Sequence, residues 1–181
     1  MNIYTDELIK KSFDDHRLVL KEVYNINLIT ELKICSRKIV NALNKGGKII
    51  WFGNGGSASD GEHLSAEFVG RFKKNRRPLA SLALSSNSSI FTAIANDFGF
   101  IDIYSRQIEA IASSVDIAIG ISTSGNSENI LRGIKKANEM NVSTIGFLGN
   151  DGGYIKDFVD NIILIESNDT ARIQEMHILI G

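Results

Sequence analysis

The feature that most constrains the fold is residues 48–67, where a short apolar run breaks into glycines and then continues as a helix. The apolar run is typical of a buried strand, and three glycines between 53 and 56 indicate a sharp turn. Glycines let backbone N–H groups approach a ligand, and a helix start adds the positive end of its dipole. We therefore expect a strand, an anion-binding loop and a helix with Ser59 or Asp60 at its N-cap. The simpler alternative is an ordinary strand-to-helix turn.

Two side chains on this predicted helix could carry chemistry, His63 and Glu67. They are separated by one helical turn, so they share one face of the helix. An imidazole and a carboxylate beside an anion-binding loop outline a site for a phosphosugar or a phosphonucleotide. A histidine that only packs or caps at this place is the alternative.

Composition favours one globular domain, since 181 residues is within the usual range for a domain. The formal net charge of −1 gives no polybasic surface, which argues against nucleic acid as a partner. No apolar stretch approaches the ~20 residues of a membrane span, and the N-terminus lacks the apolar core of a signal peptide. Cys35 is the single cysteine, so we expect no intrachain disulfide and a cytoplasmic location.

Two amphipathic helices are expected before the first strand, over about 5–24 and 27–45. His16 on the first helix is interpreted as packing or partly exposed. The second helix carries a regular apolar stripe made of Leu28, Leu32, Cys35, Ile39 and Leu43. One sheet face does not need two such helices, so their spare apolar surface predicts an oligomerisation element.

Downstream, short apolar runs alternate with helical segments, the pattern of βαβ units with a parallel sheet. The further strands are expected at 79–84, 115–121, 143–148 and 161–165. Thr170 is the expected N-cap of the last helix. The chain is therefore predicted to be an α/β protein with about five parallel strands, whose ligand lies beyond their carboxyl ends. The loops 53–59 and 122–127 both follow strand ends and should face one another across one pocket.

The second of these loops is rich in hydroxyl groups, with Ser122, Thr123, Ser124 and Ser127 around a glycine. Hydroxyls and backbone N–H groups ahead of a helix can surround a phosphate dianion with neutral donors, without Arg or Lys. A serine-rich turn alone is moderate evidence. Its place directly after a continuous apolar strand makes a phosphate site the better interpretation.

Four motifs, in order along nearly the whole chain, resemble the phosphoheptose isomerases of the sugar isomerase (SIS) domain superfamily. They are Gly53–Ser57 with His63 and Glu67, then Thr92–Gly99, Ser122–Ser127 and Thr170–Glu175. The resemblance implies a three-layer αβα sandwich with a five-stranded, flavodoxin-like parallel sheet and an N-terminal helical hairpin. It also implies one SIS domain over 1–181, with oligomerisation helices over 1–46 and the αβα core over 47–181.

The same resemblance implies a reaction and an assembly. The family converts sedoheptulose 7-phosphate to D-glycero-D-manno-heptose 7-phosphate, the first step towards ADP-heptoses for lipopolysaccharide or other surface glycans. It implies a homotetramer with sites between subunits, a sugar-phosphate substrate, and no nucleic-acid or membrane partner.

Residue roles carry over by position. The resemblance implies substrate contacts from Asn54, Gly55, Gly56, Ser57, Glu67, Asn96, Asp97, Ser122, Thr123, Ser124, Ser127 and Gln174. Glu67 would move a proton between C1 and C2 through an enediol, because ketose-to-aldose conversion needs a base beside the carbonyl. One zinc ion per subunit is implied, with His63, Glu67 and Gln174 as ligands.

The sequence departs from the family at its end. The family has a catalytic and metal-binding histidine eight residues after its match to Gln174, which here would be position 182, one beyond Gly181. We therefore expect the last helix to be cut short, and we do not assign the missing role to His177. Two alternatives stay open: a non-catalytic SIS protein resembling the replication-initiator-associating protein, and another SIS activity such as a sugar-phosphate sensor or an etherase.

Overall fold

The computed structural model describes residues 5–181. Its centre is a parallel sheet whose strands are β1 (Ile49–Gly53), β2 (Ser81–Ala83), β3 (Ile117–Ser122), β4 (Ser143–Gly149) and β5 (Asn161–Ile165). The strands lie in the order β2-β1-β3-β4-β5, and every neighbouring pair is parallel. The predicted five-stranded parallel sheet is confirmed.

Helices cover both faces of this sheet. They are α1 (Asp6–Val23), α2 (Ile26–Asn44), α3 (Gly56–Val69), α4 (Ser88–Phe98), α5 (Ser105–Ile111), α6 (Glu128–Glu139) and α7 (Thr170–Ile180), with short 3-10 turns at Phe100–Asp102 and Ile155–Phe158. Apolar residues of α4, α5 and α6 pack on one face of the sheet, and those of α2, α3 and α7 pack on the other. The fold is the predicted three-layer αβα sandwich.

Strand β1 shows why the chain folds in three layers. Its alternate residues face opposite layers, so that Ile50 and Phe52 pack towards α6 while Ile49 and Trp51 pack towards α3. All four side chains are buried. Full burial of one such apolar side chain stabilises by ~1.5–3 kcal/mol, and a strand that buries both faces needs a helix layer on each.

The two N-terminal helices pack differently. The predicted apolar stripe of α2 lies on the sheet, with Cys35 buried and the other members partly buried against the core. Helix α1 contacts α7 instead, through Val19 and Val23. Two apolar residues nearer the start of the same helix, Ile9 and Phe13, are exposed by 51% and 70%. Within residues 5–181, no helix is both long and apolar enough to cross a membrane.

Two helix starts differ from the predictions. Helix α3 begins at Gly56, so Ser59 and Asp60 lie inside the helix and neither is its N-cap. The N-cap position is Gly55, whose φ of 57° and ψ of −122° suit a residue without Cβ, so the chain turns into the helix earlier than a side-chain cap would indicate. The N-cap of α7 is Asp169, one residue before Thr170, because its carboxylate accepts from Ala171 N at 2.9 Å.

At the amino edge of the sheet lies a buried carboxylate with a full set of partners. Asp116 accepts hydrogen bonds from the backbone N–H and the ammonium of Lys48, and from the N–H and hydroxyl of Ser113, at 2.6–3.0 Å. Burial alone would raise the pKa of Asp116, but these donors outweigh it and hold the pKa below its ordinary value. This cluster ties β1, β3 and the turn before β3 together.

Candidate active site at the carboxyl edge

The loops after β1 and β3 leave the sheet side by side, because Gly53 is paired with Ile121 in the ladder between the two strands. The chain runs outwards from β1 to β2 and then returns to β3, so this is the point where the strand order reverses. Ligands of open α/β sheets bind in the crevice at such a point. The two loops therefore lie at the same edge of the sheet, as predicted, and the expectation that they face one another across one pocket stays a prediction.

The turn after β1 is held from below by a buried tyrosine. The Tyr104 hydroxyl donates a hydrogen bond to the Gly53 carbonyl, the last of the strand. Tyr104 is 1% exposed, and burial raises its pKa to about 12, so the phenol keeps its proton and acts as a donor. Tyr104 therefore fixes the position of Gly53, where the loop leaves the sheet.

A pair of amides joins the two loops. Asn54 Nδ2 donates to Asn129 Oδ1 at 2.9 Å, and Asn129 Nδ2 donates back to Asn54 Oδ1 at 2.8 Å. Asn129 lies in the first turn of α6 and is 3% exposed, while Asn54 is half-buried. The half-buried partner is the one predicted to touch substrate.

One face of α3 carries the predicted chemistry. Gly56, Asp60, His63 and Glu67 follow helical spacing along one ridge. His63 Nε2 lies 3.6 Å from Glu67 Oε1, with side chains exposed by 61% and 32%. Both line a cavity of about 360 Å³ whose far wall is the apolar end of α7. The predicted adjacency of imidazole and carboxylate is thus present.

Gln174, on α7, lies against Gly56, the first residue of α3. A Cβ at Gly56 would lie 2.6 Å from Gln174 Cδ, so only glycine lets this amide come so close. Burial raises the pKa of Asp60, although a hydrogen bond from Gln174 and the nearby His63 oppose the shift. Asp60 is 7% exposed, and its Oδ2 atom has no hydrogen-bond partner in the described chain.

The serine loop, residues 122–127, is ordered by its own hydroxyls. Ser122 is buried, its Oγ accepts from Gly125 N at 3.1 Å, and it lies 3.3 Å from Ser127 Oγ. Ser124 Oγ accepts from Asn126 N at 3.2 Å. Ser127 occupies the N-cap position of α6 without a side-chain capping bond. Ile130 N already donates to Asn129 Oδ1 at 3.0 Å, so the N–H groups of Glu128 and Asn129 are the ones at the start of α6 that keep donor capacity for an anion.

The loop after β4 supports the serine loop from behind. Ile155 N donates to the Gly125 carbonyl and Tyr154 N donates to Asn126 Oδ1, both at 3.0 Å. Gly125 has a φ of 67°, and a Cβ there would collide with the backbone of Gly152. This close backbone contact makes the serine loop a rigid cradle.

Some predicted site residues lie elsewhere. Asn96 and Asp97, at the end of α4, are exposed and hydrogen-bonded to one another, and Asp97 lines a separate groove with Arg106. His177 is fully buried, its Nε2 lies 3.2 Å from the Leu148 carbonyl, and burial lowers its pKa to about 4. His177 is thus a packing residue, whereas His16 is partly exposed, with its Nδ1 2.7 Å from Glu175 Oε2.

Three polar residues of the site were not identified from the sequence as site residues: Asn129, Tyr104 and Asp60. Asp60 stands three and seven positions before His63 and Glu67, so helical spacing was a usable signal for it. Asn129 and Tyr104 come from distant segments, and nothing local marks them. Within residues 5–181, no three His, Cys, Asp or Glu side chains cluster closely enough to hold a metal by themselves.

The fold and the site together define a class: an SIS-type α/β domain with a neutral, hydroxyl-lined cradle for a phosphorylated ligand. The SIS domain model matches residues 13–149. A phosphoheptose isomerase of Aquifex aeolicus is 46% identical over 97% of this chain and 91% of that relative. The solved phosphoheptose isomerases of Neisseria gonorrhoeae and Francisella tularensis are 36% and 30% identical, with TM-scores of 0.91 and 0.92, each over 96% of this chain and 92% of theirs. The chain belongs to the phosphoheptose isomerase family of SIS domain proteins.

Proposed function

We propose that this protein isomerises sedoheptulose 7-phosphate to D-glycero-D-manno-heptose 7-phosphate. The observation that carries the proposal is the combination of a carboxylate–imidazole pair, His63 and Glu67, with a serine cradle on the neighbouring strand. An aldose–ketose isomerase needs a base at the reacting carbons and an anchor for the distant phosphate. Relatives named phosphoheptose isomerase match this chain over more than 90% of their own length.

Glu67 is the proposed base. Its carboxylate takes the proton from C1 of the ketose, electrons move to form the enediol, and the same carboxyl returns the proton to C2. The hydroxyl proton passes from O1 to O2 in the same exchange, so no atom is gained or lost. At 32% exposure Glu67 is open to the cavity yet partly shielded from water.

The phosphate is proposed to bind in the serine loop. Ser122, Thr123, Ser124 and Ser127 offer hydroxyls, and the uncapped start of α6 offers N–H groups and a positive dipole end. Asn54, Gly55, Gly56 and Ser57 in the first loop, with Gln174 from α7, would hold the sugar hydroxyls. Ser57 is buried and its N–H donates to the Asn54 carbonyl at 3.0 Å, so it also holds the shape of the first loop.

A zinc ion is part of the proposal, held by His63, Glu67 and Gln174. An imidazole and a carboxylate 3.6 Å apart are donors that one zinc ion accepts together. The Gln174 amide lies against Gly56, about three helical turns before Glu67, so its part as a ligand rests on the family resemblance alone. When bound, the metal would polarise the sugar carbonyl. Metal content of the purified full-length protein, before and after a chelator, tests this part independently of turnover.

We further propose a homotetramer in the cytoplasm, with sites between subunits. Three apolar residues on α1 are at least half exposed: Leu8, Ile9 and Phe13. An apolar surface of this kind is typical of a contact with another subunit. Asp97 lines a different groove from Glu67, and Asn96 is hydrogen-bonded to Asp97, which supports a site that they complete in a neighbouring subunit. The isomerisation would then be the first step towards ADP-heptoses for lipopolysaccharide or other surface glycans.

The deciding experiment is direct: incubate the full-length protein with sedoheptulose 7-phosphate and follow formation of the aldoheptose 7-phosphate. Turnover that disappears in Glu67→Gln supports the proposal. Binding of the sugar phosphate without turnover, in a folded protein, would favour the non-catalytic SIS protein instead. Sedimentation at micromolar concentration tests the tetramer separately.

A further inference from the structure

We propose that Asn129 is a positioning residue for this reaction, acting only through Asn54. The basis is the reciprocal amide pair that joins the two strand-end loops. Asn129 lies directly behind the half-buried Asn54, away from solvent, with 3% exposure. The inference rests on the isomerase activity and adds a residue to it.

The orientation of the pair is dictated by the helix backbone. Asn129 Oδ1 also accepts a hydrogen bond from Ile130 N at 3.0 Å. An N–H group can only donate, so the oxygen of Asn129 must face it and the NH₂ group must face outwards to Asn54 Oδ1. The start of α6 therefore determines which atom of Asn54 points in which direction.

This fixed orientation leaves Asn54 half used. An amide has two N–H donors and two acceptor lone pairs, and the pair with Asn129 consumes one of each. One N–H and one lone pair of Asn54 remain unused by the pair, and Asn54 is half-buried, so a ligand can reach them. Adjacent sugar hydroxyls each donate and accept, so a prearranged donor and acceptor suit a polyol.

The pair also fixes the distance between the two loops. Asn54 follows β1, whereas Asn129 follows the serine loop, so the amide bonds set the separation between the sugar-binding and phosphate-binding sides. The Tyr104 bond to Gly53 holds the same turn from below. A shift of about 1 Å in such a site can cost about 100-fold in rate.

The test is a double-mutant cycle in the full-length protein. Asn129→Ala is expected to lower kcat/KM for sedoheptulose 7-phosphate about 10- to 100-fold. In an Asn54→Ala background the same change should add no more than about twofold, because its route of action is already removed. Binding of inorganic phosphate should stay close to that of the wild type, since the hydroxyls of the serine loop are untouched.

Asn138→Ala is the matched control, at the far end of α6, where the amide donates to the Phe158 carbonyl at 2.7 Å. It also removes a side-chain hydrogen bond and should leave kcat/KM unchanged. If Asn129→Ala does not fold, the isosteric Asn129→Asp, which keeps the bond from Ile130 N, replaces it in both backgrounds. Independent losses in the cycle, or an Asn129 variant that behaves like Asn138→Ala, would overturn the inference. Absence of turnover in the wild type would instead reject the proposed function.

Discussion

Two buried carboxylates at opposite ends of the strands, Asp116 and Asp60, have opposite hydrogen-bonding environments. At the amino edge, both carboxylate oxygens of Asp116 accept hydrogen bonds from Lys48 or Ser113. At the carboxyl edge, Asp60 Oδ2 has no partner among the described residues, and α6 starts without a side-chain cap. The first arrangement lowers the free energy of the folded chain, whereas the second leaves donors and acceptors available to a ligand.

This difference separates stability from function. A buried polar group without a partner costs about 1–3 kcal/mol of folding free energy. The unpaired Asp60 Oδ2 therefore needs a functional explanation, such as a bond to a ligand. We expect substitutions at the carboxyl edge to change turnover more than stability, and substitutions at the amino edge to do the reverse.

The largest effect is expected from Glu67→Gln. The amide keeps the size of the side chain and cannot accept the C1 proton, so kcat should fall ~10²–10⁴-fold. Unfolding temperature and phosphate binding should stay near the wild-type values. Steady-state assay and calorimetry measure these quantities. The control is Glu62→Gln on the same helix, whose carboxylate accepts from Ser85 Oγ; equal losses in both variants would remove Glu67 from its role.

At the opposite edge, Asp116→Ala should lower the free energy of unfolding by about 3 kcal/mol, because it strands the Lys48 ammonium and two backbone N–H groups. The kcat of the folded fraction should not change. Urea unfolding and an activity assay at low temperature measure the two. Glu139→Ala, which breaks an exposed pair with Lys136, is the control and should shift the midpoint little.

The same carboxylate gives a pH dependence with a defined sign. The folded pKa of Asp116 lies below its unfolded value of about 3.9, so the carboxylate stabilises the folded state above that value. This contribution is lost as the pH falls through the folded pKa. Wild type and Asp116→Ala should therefore converge in stability at strongly acidic pH; a constant difference down to pH ~2 would contradict the assignment.

An intermediate effect is expected from Gly56→Ala at the carboxyl edge. The new methyl group would collide with the Gln174 amide and push it away from the ridge of α3, lowering kcat/KM about 10- to 100-fold. The double variant with Gln174→Ala removes the collision. If the collision lowers the thermal midpoint of Gly56→Ala, the midpoint of the double variant should return towards the wild type while its activity stays low. A midpoint that does not recover would show that the strain has another cause.

The smallest effect should come from Ser127→Ala. One neutral hydrogen bond is worth about 0.5–1.5 kcal/mol, so phosphate affinity should weaken about 2- to 10-fold. Helix α6 should keep its stability, because Ser127 makes no capping bond. Titration calorimetry with inorganic phosphate measures the change. Ser36→Ala on α2, whose hydroxyl bonds only to the Leu32 carbonyl, is the control and should bind phosphate unchanged.

Much of this architecture was predictable because its signals are local. The apolar runs around 49–53 and 117–122 predict strands, and the glycines and serines that follow predict loops at one edge. His63 and Glu67 could be paired from their spacing alone. The helix start at Gly56 was placed too late because a glycine N-cap leaves no side-chain signal, whereas Ser59 and Asp60 resemble ordinary caps.

The sequence by itself determined the αβα class and the order of the elements, and it predicts the serine loop as the phosphate site and Glu67 as the base. Only the tertiary structure decided that Asn129 holds Asn54, that Tyr104 holds Gly53, and that Gln174 lies against Gly56. Each of these contacts joins segments more than 50 residues apart, so no local periodicity records it. The burial of a side chain is also decided by the tertiary structure. The sequence places His177 three residues after Gln174 without assigning it a role, and its core position makes it a neutral packing group.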